Sequence, residues 1–316
     1  MEETIVPAAG VAMEPLRMRG VQEEMWRNLP LLYALPAALA RASAIISRFR
    51  PDAVLGTGGY ITAPVGAAAL VRRVPLFLQE QNAIPGRTTR VLAARARTVC
   101  AAYPDTARLL PRAHVVHTGT PVRADFQDRA REVGELRRLV VFGGSQGAHR
   151  INVAMAESIK TLLDVDGLAV HHVCGQHDLE WLHGFRAGLP TDRAARYQVD
   201  AFVTEMAGVL AGADLVVARA GGSGIAEMTA MGLPMILVPY PFAGEHQRFN
   251  AEPLAEAGAA VVVRDAELSG ATLTRAVQRL AGSEGAARLR EMAAASRAFG
   301  RPHAAEEVAR LLLEAA

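Results

Sequence analysis

The feature that most constrains the fold of this chain is a strand, glycine turn, helix and strand between residues 213 and 250. The apolar run at 215–218 is long enough for one strand buried in a parallel sheet. Glycines crowd positions 221–224, and apolar residues then recur at helical spacing. A second apolar run at 235–238 ends at a proline and predicts the next strand. Repeats of this kind predict an α/β protein.

The glycine turn at 221–224 brings bare backbone N–H groups to a helix N-terminus, where they can hold a phosphate or diphosphate. Glu227 lies about one helical turn inside that helix, and its carboxylate can accept two hydrogen bonds from a ribose diol. A tight turn with a capped helix would also explain the glycines. The polar run 244–250 favours a ligand site, because it lies just beyond a strand's carboxyl end, where ligands of α/β sheets bind.

Composition bounds the class of protein. A chain of 316 residues suggests about two domains. A net charge of +2 does not by itself indicate nucleic acid. Lys160 is the only lysine and no P-loop string occurs. Cys100 and Cys174 form neither a metal pattern nor a disulfide framework, which fits a reducing compartment. No apolar run approaches the ~20 residues of a membrane-spanning helix, which predicts a soluble or peripheral protein.

Two polar runs follow predicted strands in the first half of the chain. Residues 51–67 predict a strand, glycine turn and helix, in which Tyr60 offers a hydroxyl and an aromatic face. Residues 74–86 predict a strand that runs into Glu80, Gln81 and Asn82. A single polar run after a strand is usually only a loop, but two such runs in successive strand–helix units suggest a binding site.

The segment 22–48 combines leucines with arginines, and two readings of it stay open. A helix packed on its own domain would account for most of the leucines. Alternatively, the segment is an interfacial patch that places apolar side chains in lipid and arginines on anionic headgroups. The residues of this predicted membrane patch are Trp26, Arg27, Leu29, Leu31 and Leu32.

The second half opens with a strand at 137–142, a glycine turn at 143–147 and a helix. Ser145 lies at the helix N-terminus, where it can simply be an N-cap. The Asp-Val-Asp triplet at 164–166 has the form of a metal-binding signature, but it lies at the wrong end of a strand, so it is interpreted as a turn. Other strands are predicted at 11–18, 98–101, 114–117, 170–174, 198–202 and 258–263, and an amphipathic helix at 303–316.

These segments resemble the MurG family, the N-acetylglucosaminyltransferases of peptidoglycan synthesis (glycosyltransferase family 28). Four motifs occur in the family's order: glycine-glycine-tyrosine at 58–60, glutamate-glutamine-asparagine at 80–82, GGSQGA at 143–148 and the donor motif within 213–250. The resemblance covers almost the whole chain. It implies the α/β GT-B architecture, two Rossmann-like domains with parallel sheets facing a cleft.

The resemblance also implies a donor site. The diphosphate is expected at the turns of Ser145 and of residues 221–224, and the ribose at Glu227. Val203 frames the uracil, while Gln247, with His246, binds the sugar hydroxyls. Two residues, Asn82 and Arg123, close the cleft from the first domain. The expected donor-binding residues are Asn82, Arg123, Ser145, Val203, Gly222, Ser223, Gly224, Ile225, Ala226, Glu227, His246 and Gln247.

The implied reaction is inverting transfer of N-acetylglucosamine from UDP-N-acetylglucosamine to the 4-hydroxyl of undecaprenyl-diphospho-N-acetylmuramoyl-pentapeptide (lipid I), which gives lipid II. A general base takes the acceptor proton, and backbone N–H groups rather than a metal meet the diphosphate charge. No cofactor, metal or nucleic acid is expected. Tyr60 and Glu80 are assigned to the acceptor side of the cleft. The expected location is peripheral, on the cytoplasmic leaflet of the plasma membrane.

The family's opening motif, GGTGGH, does not occur, so the first domain is expected to be N-terminally incomplete and the catalytic residue stays unassigned. A start codon assigned too far downstream, with ~40 residues lost, is the favoured explanation, because a parallel sheet without its central strand is hard to stabilise. A clipped, inactive or two-chain form is the alternative. The chain also departs from the family at Gln79, where histidine is common, and at Thr120, where the NPVR hinge has asparagine.

Residues 120–123, which match the family's NPVR hinge except at Thr120, place the domain boundary after residue 122. The first domain is predicted at 1–122, with the helix at 300–316 packing back on it, and the UDP-sugar-binding domain at 123–299. Two rival functions stay open: another GT-B enzyme acting on UDP-N-acetylglucosamine, such as a 2-epimerase, and a non-catalytic nucleotide-sugar-binding subunit. Membrane binding of segment 22–48 would count against the epimerase. An upstream GGTGGH would count against the non-catalytic subunit.

Overall fold

The computed structural model describes residues 6–7, 10–16, 31–127, 129, 132–144, 147–241 and 245–315, without the side chains of 31–33. The chain divides into two compact units. The first comprises Met1–Gln81, Pro85–Thr118 and Glu307–Ala316, and the second comprises Asn82–Ile84 and Gly119–Glu306.

The first unit contains a parallel sheet in the order β1-β2-β3-β4. Its strands are β1 (Val54–Gly56), β2 (Leu76–Glu80), β3 (Thr98–Ala101) and β4 (Val115–His117). Its helices are α1 (Leu31–Phe49), α2 (Thr62–Val71), α3 (Arg87–Leu92) and α4 (Thr106–Leu109).

Small residues set the packing of this unit. Every residue of β2 is buried, as expected for a strand covered on both faces. A Cβ on Gly66 of α2 would lie 2.7 Å from Leu92 Cδ1, so a larger residue here would force the Leu92 side chain of α3 to shift. Ala42 and Ile46 of α1 join a buried cluster with the alanines of α2.

The second unit contains a larger parallel sheet in the order β10-β9-β8-β5-β6-β7. Its strands are β5 (Arg138–Phe142), β6 (Ala169–Val173), β7 (Tyr197–Asp200), β8 (Leu215–Ala218), β9 (Met235–Leu237) and β10 (Ala260–Val262). Its helices are α5 (His149–Leu162), α6 (Leu179–Ala187), α7 (Thr191–Ala194), α8 (Met206–Ala211), α9 (Gly222–Ala230), α10 (His246–Glu256), α11 (Gly270–Gln278) and α12 (Gly282–Phe299), and the last helix, α13 (Ala304–Leu313), runs from this unit into the first.

The strand order of the second sheet creates a crevice for ligands. The chain starts in the middle with β5, builds outward through β6 and β7, and returns to place β8 on the other side of β5. The loops after β5 and β8 therefore leave the sheet in opposite directions. Such a switch point is where open α/β sheets bind ligands, beyond the carboxyl ends of the strands.

Most predicted elements match the structure. The strands predicted at 98–101 and 215–218 coincide with β3 and β8, and the others differ at their ends by one or two residues. The strand predicted at 11–18 is wrong for 11–16, which have no regular secondary structure, and its last two residues lie outside the described part. Among the described residues, no helix is long and apolar enough to cross a bilayer.

The domain boundaries predicted at 122/123 and 299/300 stay predictions. The compact units change at 118/119 and 306/307, and Asn82–Ile84 cluster with the second unit.

Candidate functional site

The glycine turn between β8 and α9 opens a helix N-terminus toward the crevice. Gly221 is the N-cap, with extended backbone (φ −72°, ψ 140°), and α9 begins at Gly222. The first bond of the helix runs from the Ile225 N–H to the Gly221 carbonyl at 2.9 Å. The N–H groups of residues 222–224 precede that bond, so the helix itself cannot satisfy them. They form the kind of donor array that binds diphosphate.

The glycines of this turn are not required by the fold. A Cβ built on Gly221 meets no described atom within 4 Å, and one on Gly224 would lie at an ordinary 3.9 Å from Phe142 Cε2. The turn after β5 is different. A Cβ on Gly143 would lie 2.3 Å from the Ala148 nitrogen, and one on Gly147 (φ +77°) would lie 2.3 Å from the Cys174 oxygen. The fold therefore requires glycine at 143 and 147, whereas a side chain at 221 or 224 would meet no close described atom.

Gln247, in the first turn of α10, joins two strand ends. Its Oε1 accepts hydrogen bonds from the backbone N–H of Ala220 at 3.1 Å and of Tyr240 at 3.0 Å. These residues follow β8 and β9, so one side-chain oxygen ties α10 to both strand ends beside the glycine turn. This structural role of Gln247 was not foreseen from the sequence. Its amide Nε2 carries the two protons that a sugar hydroxyl could accept.

Asn250, one helical turn further along α10, organises the same region. The residue is fully buried. Its Nδ2 donates to the Ala220 carbonyl and to Asn82 Oδ1, both at 3.1 Å, and its Oδ1 accepts from the Ala83 N–H at 2.8 Å. Asn82 therefore lies in one hydrogen-bonded network with the residue that precedes the glycine turn. The sequence analysis assigned no role to Asn250, and only its place in a polar run marks it.

Glu227 lies half-buried on α9, with a charged neighbourhood. Burial raises the pKa of Glu227 above its ordinary value, the Arg123 guanidinium lowers it, and the Asp125 carboxylate raises it again. Arg123 Nε lies 3.5 Å from Asp125 Oδ1. The Arg123 guanidinium carbon lies 5.0 Å from the centroid of the Phe126 ring. No residue that the structure describes donates a hydrogen bond to the Glu227 carboxylate. A half-buried carboxylate with free acceptor positions suits a ligand diol.

A buried ion pair supports the end of β8. Arg219 lies directly before the glycine turn, and its guanidinium contacts Asp265 Oδ1 at 2.5 Å and the Tyr240 ring at 5.3 Å. Asp265 also forms an ion pair with Arg150 of α5, whose Nε lies 3.0 Å from Asp265 Oδ2. Arg219 was not predicted as a site residue, although an arginine between a buried strand and a glycine turn is a visible signal. Asp265 thus links the residue before the glycine turn to α5.

Three predicted donor residues are not linked to this network by a described contact. Val203 is half-buried after β7, which lies three strand spacings from β8, about 14 Å at ordinary sheet geometry. Ser145 lies outside the described residues. His246 begins α10, and its buried Nδ1 has no hydrogen-bond partner among the described residues. Each of these assignments stays a prediction.

The two acceptor-side residues lie in the first unit. Tyr60 is exposed in the turn before α2, as a binding residue would be. Glu80 ends β2 and is almost fully buried, and its Oε2 accepts the Gly86 N–H at 2.9 Å. The structure therefore uses the Glu80 carboxylate to hold the loop that leads into α3.

The predicted membrane patch falls mostly outside the described residues. Trp26, Arg27 and Leu29 are not described, and Leu31 and Leu32 are described only as backbone within α1. Among the described residues, an apolar recess of about 310 Å³ lies between α1, α2 and α3. Leu35, Leu39, Pro64 and Val91 line it together with Arg87.

Two family models match the chain. The glycosyltransferase family 28 C-terminal domain matches residues 138–308, and the glycosyltransferase family 28 N-terminal domain matches residues 1–101.

Curated relatives match nearly the full chain. A protein of Moorella thermoacetica is 41% identical over 327 residues, which cover 99% of this chain and 88% of that protein. A protein of Anaeromyxobacter sp. (strain K) is 37% identical, covering 99% of this chain and 82% of its own length. Both are named UDP-N-acetylglucosamine–N-acetylmuramyl-(pentapeptide) pyrophosphoryl-undecaprenol N-acetylglucosamine transferase.

Solved structures share the fold. Acinetobacter baumannii MurG superposes with a TM-score of 0.77 at 26% identity, covering 99% of this chain and 88% of that one. A putative UDP-N-acetylglucosamine 2-epimerase from Listeria monocytogenes superposes with a TM-score of 0.70 at 13% identity, covering 97% and 84%, a likeness of fold alone. The architecture is thus α/β and GT-B, as predicted. Both family models and the relative at 41% identity agree with the open helix terminus at the switch point. The chain therefore belongs to glycosyltransferase family 28.

Proposed function

We propose that this chain transfers N-acetylglucosamine from UDP-N-acetylglucosamine to undecaprenyl-diphospho-N-acetylmuramoyl-pentapeptide (lipid I) and so makes lipid II for peptidoglycan. The observation that carries the proposal is the 41% identity to a transferase of that name over 99% of this chain. In the reaction the acceptor 4-hydroxyl forms a bond to the sugar's anomeric carbon, the bond from that carbon to the diphosphate breaks, and UDP leaves. A general base takes the hydroxyl proton.

The donor diphosphate binds at the N-terminus of α9 in this proposal. The free N–H groups of residues 222–224 and the positive end of the helix dipole meet the negative charge that grows on the leaving UDP. The lack of a side chain at Gly221 and Gly224 allows the diphosphate to approach the backbone.

The nucleoside and sugar bind on either side of this turn. Glu227 accepts hydrogen bonds from the ribose hydroxyls, and Arg123 keeps a positive charge near that carboxylate. Gln247 uses Oε1 to hold the protein together and donates from Nε2 to a sugar hydroxyl. In this proposal Val203 frames the uracil, Ser145 contributes to the diphosphate site, and His246 helps Gln247 to bind the sugar. Asn82 belongs to the donor site, and Tyr60 and Glu80 belong to the acceptor side.

The acceptor carries a long isoprenoid, so the enzyme works at the cytoplasmic face of the membrane as a peripheral protein. The apolar recess between α1, α2 and α3 supports this location, since Leu35 and Val91 are 47% and 70% exposed there. Exposed apolar side chains beside a basic residue such as Arg87 favour an anionic lipid surface.

Two measurements test the proposal. Thermal unfolding with UDP-N-acetylglucosamine should raise the melting temperature of the chain, and UDP-glucose should raise it less. Incubation with radiolabelled donor and detergent-solubilised lipid I should then move the label into a product that partitions as a lipid. Donor binding followed by formation of UDP-N-acetylmannosamine without any acceptor would instead identify an epimerase. Donor binding without either product would identify a non-catalytic binding subunit.

A further inference from the structure

A cluster of His149, His177 and Asp178 lies at the carboxyl edge of the second sheet, outside the hydrogen-bonded network of Gln247 and Asn250. His149 is the first residue of α5, which follows β5. His177 and Asp178 belong to the 3-10 turn Gln176–Asp178, which follows β6. Since β5 and β6 are paired and parallel, their carboxyl ends bring these three side chains together.

The side chains converge on one carboxylate. His149 Nδ1 lies 3.0 Å from both oxygens of Asp178, and His177 Nδ1 lies 2.9 Å from Asp178 Oδ1. One ligand atom from each residue lies within 4.8 Å of the others. From these contacts we propose that His149, His177 and Asp178 form a binding site for a divalent transition-metal ion of the zinc class.

The dimensions suit such an ion. Zinc binds imidazole nitrogen and carboxylate oxygen at about 2.0–2.2 Å, so neighbouring ligand atoms in a tetrahedral site lie about 3.3–3.5 Å apart. The observed contacts need only open by a few tenths of an ångström, and the two histidine nitrogens must approach each other. Both rings can move, because the side chains of His149 and His177 are 66% and 87% exposed. Two imidazoles and a carboxylate select zinc-class ions over Mg²⁺, which prefers oxygen ligands.

The carboxylate is supported from the interior, as metal ligands commonly are. Asp178 is nearly fully buried, and its Oδ2 accepts from Asn152 Nδ2 at 2.6 Å. Asn152 Oδ1 in turn lies 2.9 Å from Nε2 of the buried His172, whose Nδ1 lies 2.9 Å from the Tyr197 hydroxyl. These hydrogen bonds fix the Asp178 carboxylate, whereas the exposed rings of His149 and His177 can move.

The test uses the full chain without a histidine tag. Titration calorimetry with Zn²⁺ should give one site per chain, and Co²⁺ in its place should give the intense visible absorption of a four-coordinate ion. His177→Gln should lower Zn²⁺ affinity by at least about tenfold, since even an outer partner of a ligand typically contributes that much. This variant should fold normally because the side chain is exposed. His303→Gln is the matched control, because His303 also pairs with a carboxylate, Glu306 Oε1 at 3.3 Å, but has no second histidine beside it.

Trp181 provides a second readout. Its ring centroid lies 6.3 Å from that of His149, so Cu²⁺ bound at the site should quench its fluorescence. The quenching should be lost in Trp181→Phe, which leaves only Trp26, and should weaken in His177→Gln. No binding of Zn²⁺, or equal loss of binding in His177→Gln and His303→Gln, would overturn the proposal. So would a Zn²⁺ affinity no greater than the affinity for Mg²⁺.

Discussion

The side-chain oxygen of Gln247 lies 3.1 Å from the backbone nitrogen of Ala220, and through this bond the first turn of α10 is attached to the end of β8. The residue next to Ala220 is the N-cap of α9. The acceptor end of the Gln247 amide thus serves the fold, while the proposed sugar contact uses its donor end. The two functions can be separated by substitution.

Replacing Gln247 with glutamate keeps the acceptor and removes the donor. A carboxylate accepts from the Ala220 and Tyr240 N–H groups at least as well as an amide does, so we expect an unchanged melting temperature. Affinity for UDP-N-acetylglucosamine should fall by more than affinity for UDP, by about tenfold in the ratio, because only the sugar uses Nε2. Calorimetry with both ligands measures that ratio. Equal losses would mean that Gln247 does not contact the sugar.

Gly224→Ala should abolish donor binding without harming the fold. The added Cβ meets Phe142 at an ordinary 3.9 Å and replaces a helical glycine, which should stabilise the chain by about 0.5–1 kcal/mol. If the diphosphate binds at this helix N-terminus as proposed, the same Cβ should hinder its close approach to the backbone. Gly184→Ala in α6 is the control, since it also replaces a helical glycine and its Cβ meets nothing described within 4 Å. Melting temperature and donor affinity are measured for both. Retained affinity in Gly224→Ala would rule out the proposed diphosphate position.

Glu227→Gln should stabilise the free protein and weaken donor binding. Burial raises the pKa of Glu227 in the folded state, while the unfolded chain keeps the ordinary value of 4.5. The folded protein therefore binds the proton more readily, and the free energy of unfolding decreases as pH rises from 4.5 through the folded-state pKa. We expect the variant to melt above the parent at neutral pH, and the difference to vanish below pH 4.5.

Melting curves across that pH range measure the effect of Glu227 on stability, and UDP titration at neutral pH measures its effect on binding. A variant that binds UDP as tightly as the parent would remove Glu227 from the ribose site, whatever its stability.

Asn250→Ala should destabilise the second unit. The substitution leaves the Ala83 N–H and the Ala220 carbonyl without their partner, and a buried group left unsatisfied costs about 1–3 kcal/mol. Glu252→Ala on the same helix is the control, because its pair with Arg248 is exposed to solvent and such pairs add little stability. Urea unfolding gives both values. A loss no larger than that of the control would show that the Asn250 network is dispensable.

The sequence alone determined the α/β class, most strands and the position of the glycine turn at 221–224. Buried parallel strands are continuous apolar runs, which is why 98–101 and 215–218 matched β3 and β8. The strand predicted at 11–18, which is wrong for 11–16, shows that one short apolar run is a weak sign of a strand. The positions of Glu227 and the glycine turn on one helix could be predicted because they depend on local spacing along the chain.

Tertiary structure decided which polar side chains serve the fold and which remain available for a ligand. Gln247 and Glu80 were both predicted from polar runs, yet the structure uses Gln247 Oε1 and the Glu80 carboxylate to bind backbone N–H groups. The triad of His149, His177 and Asp178 joins side chains that are 28 or 29 positions apart or adjacent. No spacing rule could find it, because the contact exists only once β5 and β6 lie side by side. Hydrogen-bond partners across strands depend on sheet order, and sheet order is a property of the folded chain.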